Sequence, residues 1–236
     1  RDRARYEARN NCYMAGAVRT LVNDTVGRGP RLQMLTPDAG LNAAVEDLWR
    51  AWAAAADWAL NVRVLAGVRY VAGECFALPY DSGRLTRLGL PVALGMKLVE
   101  PDQVADPLSA YTIRPTGDDG VECDAQGEPV AYKILRSHPG DNRLGYLGVQ
   151  ADRVPAESVI HWFQPERPGQ LRGVSPLAPA LPIFAQLRRF TQATLTAAEV
   201  AAMLAGVLEL PEVTPDNPAE APTYDTMDTI EMVRGM

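Results

Sequence analysis

The longest regular pattern in this 236-residue chain is a run of apolar residues at alternating intervals of four and three. It comprises Ile183, Leu187, Phe190, Thr194, Ala197, Ala201, Leu204 and Leu208. Such spacing is typical of a helix that packs along another helix, and Ser175 followed by Pro176 is typical of a helix start. A helix over residues 183–208 is about 39 Å long, too long for the rest of this chain to cover on every side. Small side chains at Thr194, Ala197 and Ala201 favour close approach, so we expect a helix that packs against copies of itself.

Further helices are predicted near the start of the chain. Apolar residues recur at helical spacing within residues 1–31, which predicts one helix with a single apolar face that ends at Gly27. Thr36 followed by Pro37 is typical of a helix start and predicts a long amphipathic helix there. This helix carries three tryptophans, which we expect in the core or at a subunit contact. They are Trp49, Trp52 and Trp58. Another helix is predicted from residue 62 to residue 72, ending at Gly73.

From Glu74 to Phe163 the periodicity shortens and turn signals become frequent, which is typical of antiparallel strands. Predicted strands cover residues 74–78, 92–99, 110–114, 121–124, 129–135 and 159–163. The two strands around Gly127 are expected to form a hairpin. His161 lies between Ile160 and Trp162 in the last strand, where we expect a hydrogen-bonded histidine rather than a catalytic one.

Composition argues against several classes of enzyme. Two histidines are too few for a histidine-based metal site, and they leave a Ser or Cys nucleophile little choice of base. Neither lysine follows a glycine, so no phosphate-binding loop is predicted. Three cysteines without paired spacing argue against disulfides or a zinc cluster and favour a reducing compartment. The sequence therefore predicts no catalytic residue, no cofactor and no bound metal.

One enzymatic alternative stays open. The carboxylates of Glu74, Glu100 and Asp102 are candidate ligands for a divalent cation in a metal-dependent hydrolase. A nuclease of this kind also needs a lysine one residue beyond another acid, whereas Lys133 follows Tyr132. Such a short motif is weak evidence by itself.

The chain becomes acidic towards its end. From Glu199 to Met236 there are eight Asp or Glu residues and one basic residue, Arg234, together with four prolines, which predicts an acidic linker or excursion. The whole chain has a net charge of −6. It begins at Arg1 without a methionine and has no apolar run of about 18 residues, so we expect part of a longer chain with no membrane span.

Several short motifs occur in a fixed order over residues 5 to 207. They include Arg9-Asn10-Asn11, Gly73-Glu74, Leu98-Val99-Glu100-Pro101-Asp102, Pro129-Val130-Ala131-Tyr132, His138-Pro139-Gly140-Asp141, Val154-Pro155-Ala156-Glu157, Arg167-Pro168-Gly169-Gln170 and Arg172-Gly173-Val174-Ser175. In this order and spacing they resemble the lambda-type family of tailed-phage portal proteins. Residues 212–235 carry no motif that can be assigned to that family.

The resemblance implies an α+β fold without an active site, in which a ring, usually a dodecamer, lies at one capsid vertex and passes DNA during packaging and ejection. Residues 1–173 would form a wing of helices and antiparallel sheet, residues 174–206 a long stem helix, and residues 207–236 the acidic start of a clip-like region. The implied partners are further copies of the chain, non-specifically bound double-stranded DNA, the terminase motor, the major capsid protein and a head–tail adaptor. The implied location is the virion portal vertex, after assembly in the host cytoplasm and without a membrane.

Two sets of residues are predicted to matter for such a ring. The first is assigned to the subunit interface or the DNA channel: Leu187, Arg188, Arg189, Phe190, Thr194, Ala197 and Ala201. We expect Arg188 and Arg189 to pair with acids of a neighbouring subunit or to touch DNA transiently. The second set is the wing–stem junction: Arg167, Gly169, Gln170, Arg172, Gly173 and Pro176. Prolines and glycines in residues 164–173 are expected to set the angle at which the helix leaves the wing.

Two other functions remain possible at this point. One is another head–tail connector component or a structural interaction protein, and the other is the metal-dependent hydrolase. Magnesium-dependent DNA cleavage that is abolished by Asp102→Asn would favour the hydrolase. The acidic net charge suits a DNA channel, because each phosphate held by Arg or Lys would hinder the movement of DNA.

Overall fold

The computed structural model describes residues 1–107, 119–140 and 150–203. It contains helices and antiparallel sheets, which confirms the predicted α+β class. The chain divides into two compact units, Arg1–Phe190 and Thr191–Met236. Of the second unit, the structure describes residues 191–203, all of which are helical.

Four helices form the first part of the chain: α1 (Asp2–Asn10), α2 (Cys12–Val26), α3 (Ala39–Ala55) and α4 (Trp58–Ala72). The predicted ends at Gly27 and Gly73 are confirmed. The expectation of one helix before Gly27 is wrong, because Asn11 has an extended backbone and its side chain accepts a hydrogen bond from Tyr13 N at 3.1 Å. Asn11 therefore ends α1 and caps α2.

Helix α3 begins later than its proline suggested. Its N-cap is Asp38, whose carboxylate accepts hydrogen bonds from the backbone N–H groups of Gly40 and Leu41, so the start predicted at Thr36 is wrong by two residues. Trp58 begins α4, so the prediction of all three tryptophans on one helix is wrong, yet their rings form a cluster with centroids 5.0–6.2 Å apart. Trp52 is buried and donates to Leu94 O at 3.0 Å, which ties α3 to the sheet region.

Two three-stranded antiparallel sheets follow. The first has the order β2-β1-β6, with β1 at Glu74–Asp81, β2 at Leu94–Val99 and β6 at Ile160–Phe163. The second has the order β3-β4-β5, with β3 at Val121–Cys123, β4 at Pro129–Leu135 and β5 at Ala151–Pro155. A short helix, α5 (Gly83–Arg87), connects β1 and β2.

The predicted strands agree with this arrangement in most places. The hairpin around Gly127 is confirmed, since β3 and β4 pair and Asp124 Oδ1 accepts from Gln126 N and Glu128 N across the turn. Strand β5 was not predicted, and the predicted strand over residues 110–114 lies outside the described residues.

One hydrophobic core joins the two sheets. It contains Phe76 and Val99 from the first sheet, Val121, Tyr132 and Ile134 from the second, and Val104 from the connection between them. All six side chains are buried, and burial of apolar side chains of this size is the main contribution to folding.

Helix α6 spans Leu181–Met203 and is preceded by a 3₁₀ turn at Ala178–Ala180. A long helix was predicted correctly, but its start at Pro176 is wrong, because the chain first makes this tighter turn. The predicted positions Leu204 and Leu208 lie outside the described residues. Among the described helices, none is both long enough and apolar enough to cross a membrane.

Candidate functional site

The segment before α6 crosses the end of α4 at very short range. Gly73 ends α4 in the left-handed conformation, with φ at 94°, where a non-glycine residue would be strained. A Cβ atom on Gly173 would meet the carbonyl oxygen of Gly73 and lie 2.7 Å from Cβ of Glu74. Both crossing positions therefore require glycine.

Glu74, the first residue of β1, is fully buried at this crossing. Its Oε1 atom accepts from Arg172 Nε at 2.9 Å and also pairs with Arg1. Its Oε2 atom lies 3.0 Å from His161 Nε2 and accepts from Gly173 N at 2.7 Å. We call Glu74, Arg172, His161 and Arg1 the junction cluster.

The junction cluster keeps Glu74 ionised. Burial of the carboxyl group by itself raises its pKa, but hydrogen bonds from His161 and Arg172, the charge of Arg172 and the N–H of Gly173 lower the pKa to about 2. The balance is therefore in favour of the charged form. A buried carboxylate with several donors is firmly held, and removing one partner would leave a buried charge uncompensated.

Arg172 connects three parts of the first unit. Besides Glu74, it donates to Val104 O and Pro101 O, both at 2.9 Å, and it contacts Asp119 just before the second sheet. Its side chain is 13% exposed, and its guanidinium carbon lies 5.6 Å from the Phe76 ring centroid. One side chain thus joins the segment before α6 to both sheets.

His161 is held within the core rather than presented to solvent. Its Nδ1 atom lies 3.2 Å from the Tyr132 hydroxyl, and its ring stacks between Phe76 and Phe163 with centroid distances of 4.2 and 4.3 Å. The prediction of a hydrogen-bonded histidine in this strand is therefore confirmed.

The predicted junction residues divide into two groups. Arg172 belongs to the junction cluster and Gly173 N donates to its Glu74, whereas Arg167, Gly169 and Pro176 are exposed. Gln170 Oε1 accepts from Glu166 N, and its amide donates to Arg172 O at 2.8 Å, so it shapes the loop just before the cluster. Ser175 is buried, and its hydroxyl donates to Tyr70 O at 2.7 Å and accepts from Leu177 N.

Sequence reasoning missed the role of Glu74 as an anchor. One signal was present, because a charged residue directly after a helix-ending glycine begins an otherwise apolar strand, Cys75-Phe76-Ala77. A charge in such a position needs a buried partner. The partner, Arg172, lies 98 residues further along the chain.

Most positions of the apolar pattern of α6 are exposed. Ile183 and Phe190, two of its members, are 65% and 68% exposed in the first unit. Leu187 is half-buried. In the second unit, Thr194, Ala197 and Ala201 of the same pattern are exposed. We call these positions of α6 the seam.

The two arginines beside the seam differ in their surroundings. Arg188 Nη2 lies 3.2 Å from Glu7 of the same chain, whereas Arg189 is exposed. Their contact with a neighbouring subunit or with DNA stays a prediction.

The three acids proposed as a metal site are already paired with arginine, and Glu74 belongs to the junction cluster rather than to the group around Asp102. Carboxylate oxygens of Glu100 and Asp102 and a ring nitrogen of His138 lie within 4.8 Å of one another. Arg5 pairs with both carboxylates, and Arg1 lies 3.7 Å from Asp102. Guanidinium groups therefore stand where a cation would bind, which disfavours a metal-dependent hydrolase here.

Comparison with known proteins gives a consistent result. A family model described as "Phage portal protein, lambda family" matches residues 1–236. A protein of Halomonas phage phiHAP-1, described as a probable portal protein, is 34% identical over 106 residues, or 45% of this chain. The match covers 20% of that relative's length.

Proposed function

This chain belongs to the lambda family of phage portal proteins, and we propose that it forms the outer body and one stem helix of a ring-shaped DNA channel at a capsid vertex. The family is structural rather than enzymatic. Membership implies a ring of identical subunits and a location in the virion at that vertex.

We assign the parts of the chain to that ring as follows. Residues 1–173, with their helices and two sheets, form the wing. Residues 174–206 form the stem segment, which contains α6, and residues 207–236 begin the clip-like region. The proposed ring is a dodecamer assembled in the host cytoplasm. Its further partners are double-stranded DNA, the terminase motor, the major capsid protein and a head–tail adaptor.

The exposed seam of α6 carries this proposal. Over the 23 residues of the helix no residue is buried, although apolar side chains recur at heptad spacing. Apolar surface that is repeated along one helix face is typical of a contact with another protein. In a ring of identical chains, the available partner is the neighbouring subunit.

Charge supports the same function. The whole chain has a net charge of −6, because its acidic residues outnumber its basic residues. Arginine contacts to phosphate would release counterions and bind DNA tightly, whereas DNA must move freely through a packaging channel. We therefore propose weak, sequence-independent contact with DNA.

The test is assembly of the full-length protein with single changes on α6. Ile183→Asp and Ala197→Asp place a charge in the seam, whereas Gln192→Asp places it on the opposite side of the helix as a matched control. Native mass spectrometry and negative-stain images measure the rings. We expect rings with a central hole from the wild type and the Gln192 variant, and folded but unassembled subunits from the two seam variants.

Two results would contradict the proposal. The first is a wild-type full-length protein that remains monomeric or forms particles without a hole. The second is ring formation by both seam variants to the wild-type extent, since a charge buried in a helix contact is strongly unfavourable.

A further inference from the structure

Helix α1 lies between the junction cluster and the first turns of α6, and it contacts both. We infer that α1 holds the first turns of α6, residues 181–190, in place against the sheet region, with Glu7 as the positioning residue. The inference rests on the proposed ring only for its consequence in assembly. The contacts themselves lie within the first unit, Arg1–Phe190.

On the side of α6, the contacts are polar and largely buried. Glu7 is 6% exposed, and its Oε1 atom lies 3.2 Å from Arg188 Nη2. Asn11, also buried, donates from Nδ2 to Glu7 Oε2 at 3.0 Å and to Phe184 O at 2.7 Å. The Arg188 guanidinium carbon lies 5.3 Å from the Tyr6 ring centroid.

On another side of α1, two arginines one helical turn apart contact the sheet region of the wing. Arg1 pairs with Glu74 of the junction cluster, and Arg5 pairs with Asp102 in the connection after β2. Since residues in a helix are 100° apart, Arg1 and Arg5 lie about a third of a turn around the axis from Glu7 and Asn11. The same short helix therefore holds the wing with one side and α6 with another.

The contact with α6 is placed at the start of that helix, within the first unit. Arg188 and Phe184 lie in the first two turns of α6.

Glu7 suits a positioning role for a chemical reason. One carboxylate oxygen accepts from Asn11 at the end of α1, and the other pairs with Arg188 of α6. A shift of the first turn of α6 therefore breaks the contact with Arg188, whereas the contact with Asn11 remains. A buried carboxylate that loses its arginine is strongly unfavourable. In a closed ring every subunit contact must have the same angle, and this contact resists deviation from it.

The test compares full-length variants of the Glu7–Arg188 pair. Glu7→Gln keeps an acceptor for Asn11 but removes the charge, and Arg188→Gln removes the other partner. The double charge reversal, Glu7→Arg with Arg188→Glu, restores an ion pair. Arg3→Gln is the matched control, since Arg3 is an exposed residue of the same helix.

Two measurements are made on each variant. Hydrogen–deuterium exchange over residues 181–190 reports how firmly α6 is held, and native mass spectrometry reports the distribution of subunit numbers in the rings. For each single variant we expect at least tenfold faster exchange in this segment and a ring population that is spread over several subunit numbers. The charge reversal should recover most of both properties, and the Arg3 variant should match the wild type.

Unchanged exchange in both single variants would overturn the inference. So would faster exchange with unchanged ring sizes, or variants that only melt at a lower temperature without rescue by charge reversal. Absence of rings from the wild type would instead refute the proposed function, while the exchange measurement would still test whether α1 holds α6. If Glu7→Gln fails to fold, Arg188→Lys, which keeps the charge but loses the forked geometry, provides the same comparison.

Discussion

Replacement of Glu74 by glutamine removes the only acidic side chain among the four members of the junction cluster. Glutamine has nearly the same shape, so the change acts through charge and hydrogen bonding. Arg172, which is 13% exposed, then loses its buried carboxylate partner and keeps only the exposed Asp119 as an acidic partner, and Gly173 N loses a strong acceptor. The fold should persist, but it should be clearly less stable.

The size of the effect follows from the pKa of Glu74. Each factor of ten in acid strength corresponds to about 1.4 kcal/mol, so a fall from 4.5 to about 2 is worth about 3 kcal/mol in favour of the folded chain. Breaking a buried ion pair by removing one partner costs about 3–5 kcal/mol in other proteins. We therefore expect Glu74→Gln to lower the free energy of unfolding by about 3 kcal/mol at neutral pH.

Dependence on pH distinguishes this cause from general damage. The pKa of Glu74 is lower in the folded chain than in the unfolded chain, so its contribution is complete above about pH 5 and is lost as the pH falls from 4.5 through about 2. Urea unfolding of the wild type and the variant should differ by about 3 kcal/mol at pH 7. The difference should shrink steadily towards pH 2.

Glu122→Gln is the matched control, because Glu122 forms an ion pair with an exposed partner, Arg153, at 2.7 Å. An exposed pair contributes at most about 1 kcal/mol. The reasoning is refuted if Glu74→Gln costs no more than this control, or if its cost is the same at pH 7 and near pH 2.

Three further predictions concern packing and reactivity. Gly173→Val should prevent the close crossing with Gly73 and lower the melting temperature by at least several degrees. The control is Gly16→Ala, in open space within α2, which should raise stability by up to about 1 kcal/mol. Equal effects of the two changes would contradict this prediction. Burial raises the pKa of Cys75 to about 12. A thiol reagent at pH 8 should therefore modify exposed Cys12 and leave Cys75 intact until the chain unfolds. Mass spectrometry of the peptides measures both modifications. Trp52→Phe should cost about 1–3 kcal/mol in urea unfolding, because it removes the bond to Leu94 O and leaves a cavity; a neutral change would contradict it.

Local signals in the sequence predicted most of the secondary structure. Glycines at positions 27, 73 and 127 mark two helix ends and one hairpin, because each adopts a positive φ that other residues avoid. Heptad spacing predicted α6, since that pattern is a property of one helix and needs no knowledge of its neighbours.

The errors occur where a local signal had a competitor. Asn11 serves as both a helix end and a cap, yet it lies within a continuous helical pattern. Strand β5 is an edge strand with exposed Asp152 and Arg153, so it lacks the apolar alternation by which strands are recognised. At the start of α6, the 3₁₀ turn at Ala178–Ala180 displaced the predicted first turn.

The candidate site was predicted only in part, for a different reason. The loop over residues 164–173 was singled out because of its prolines and glycines, and two members, Arg172 and Gly173, lie at the junction cluster. Their partners could not be predicted, because Glu74 is about a hundred residues away in the sequence and contacts of that range depend on the whole fold. The pairing of Glu7 with Arg188 has the same origin.

Electron cryomicroscopy of the full-length protein tests the central claim most directly. If the chain forms the wing and stem of a portal ring, the map will show identical subunits around a central hole, with the α6 seam of each subunit packed against its neighbour. A particle without a hole, or a ring in which α6 lies apart from every neighbouring subunit, would contradict that claim.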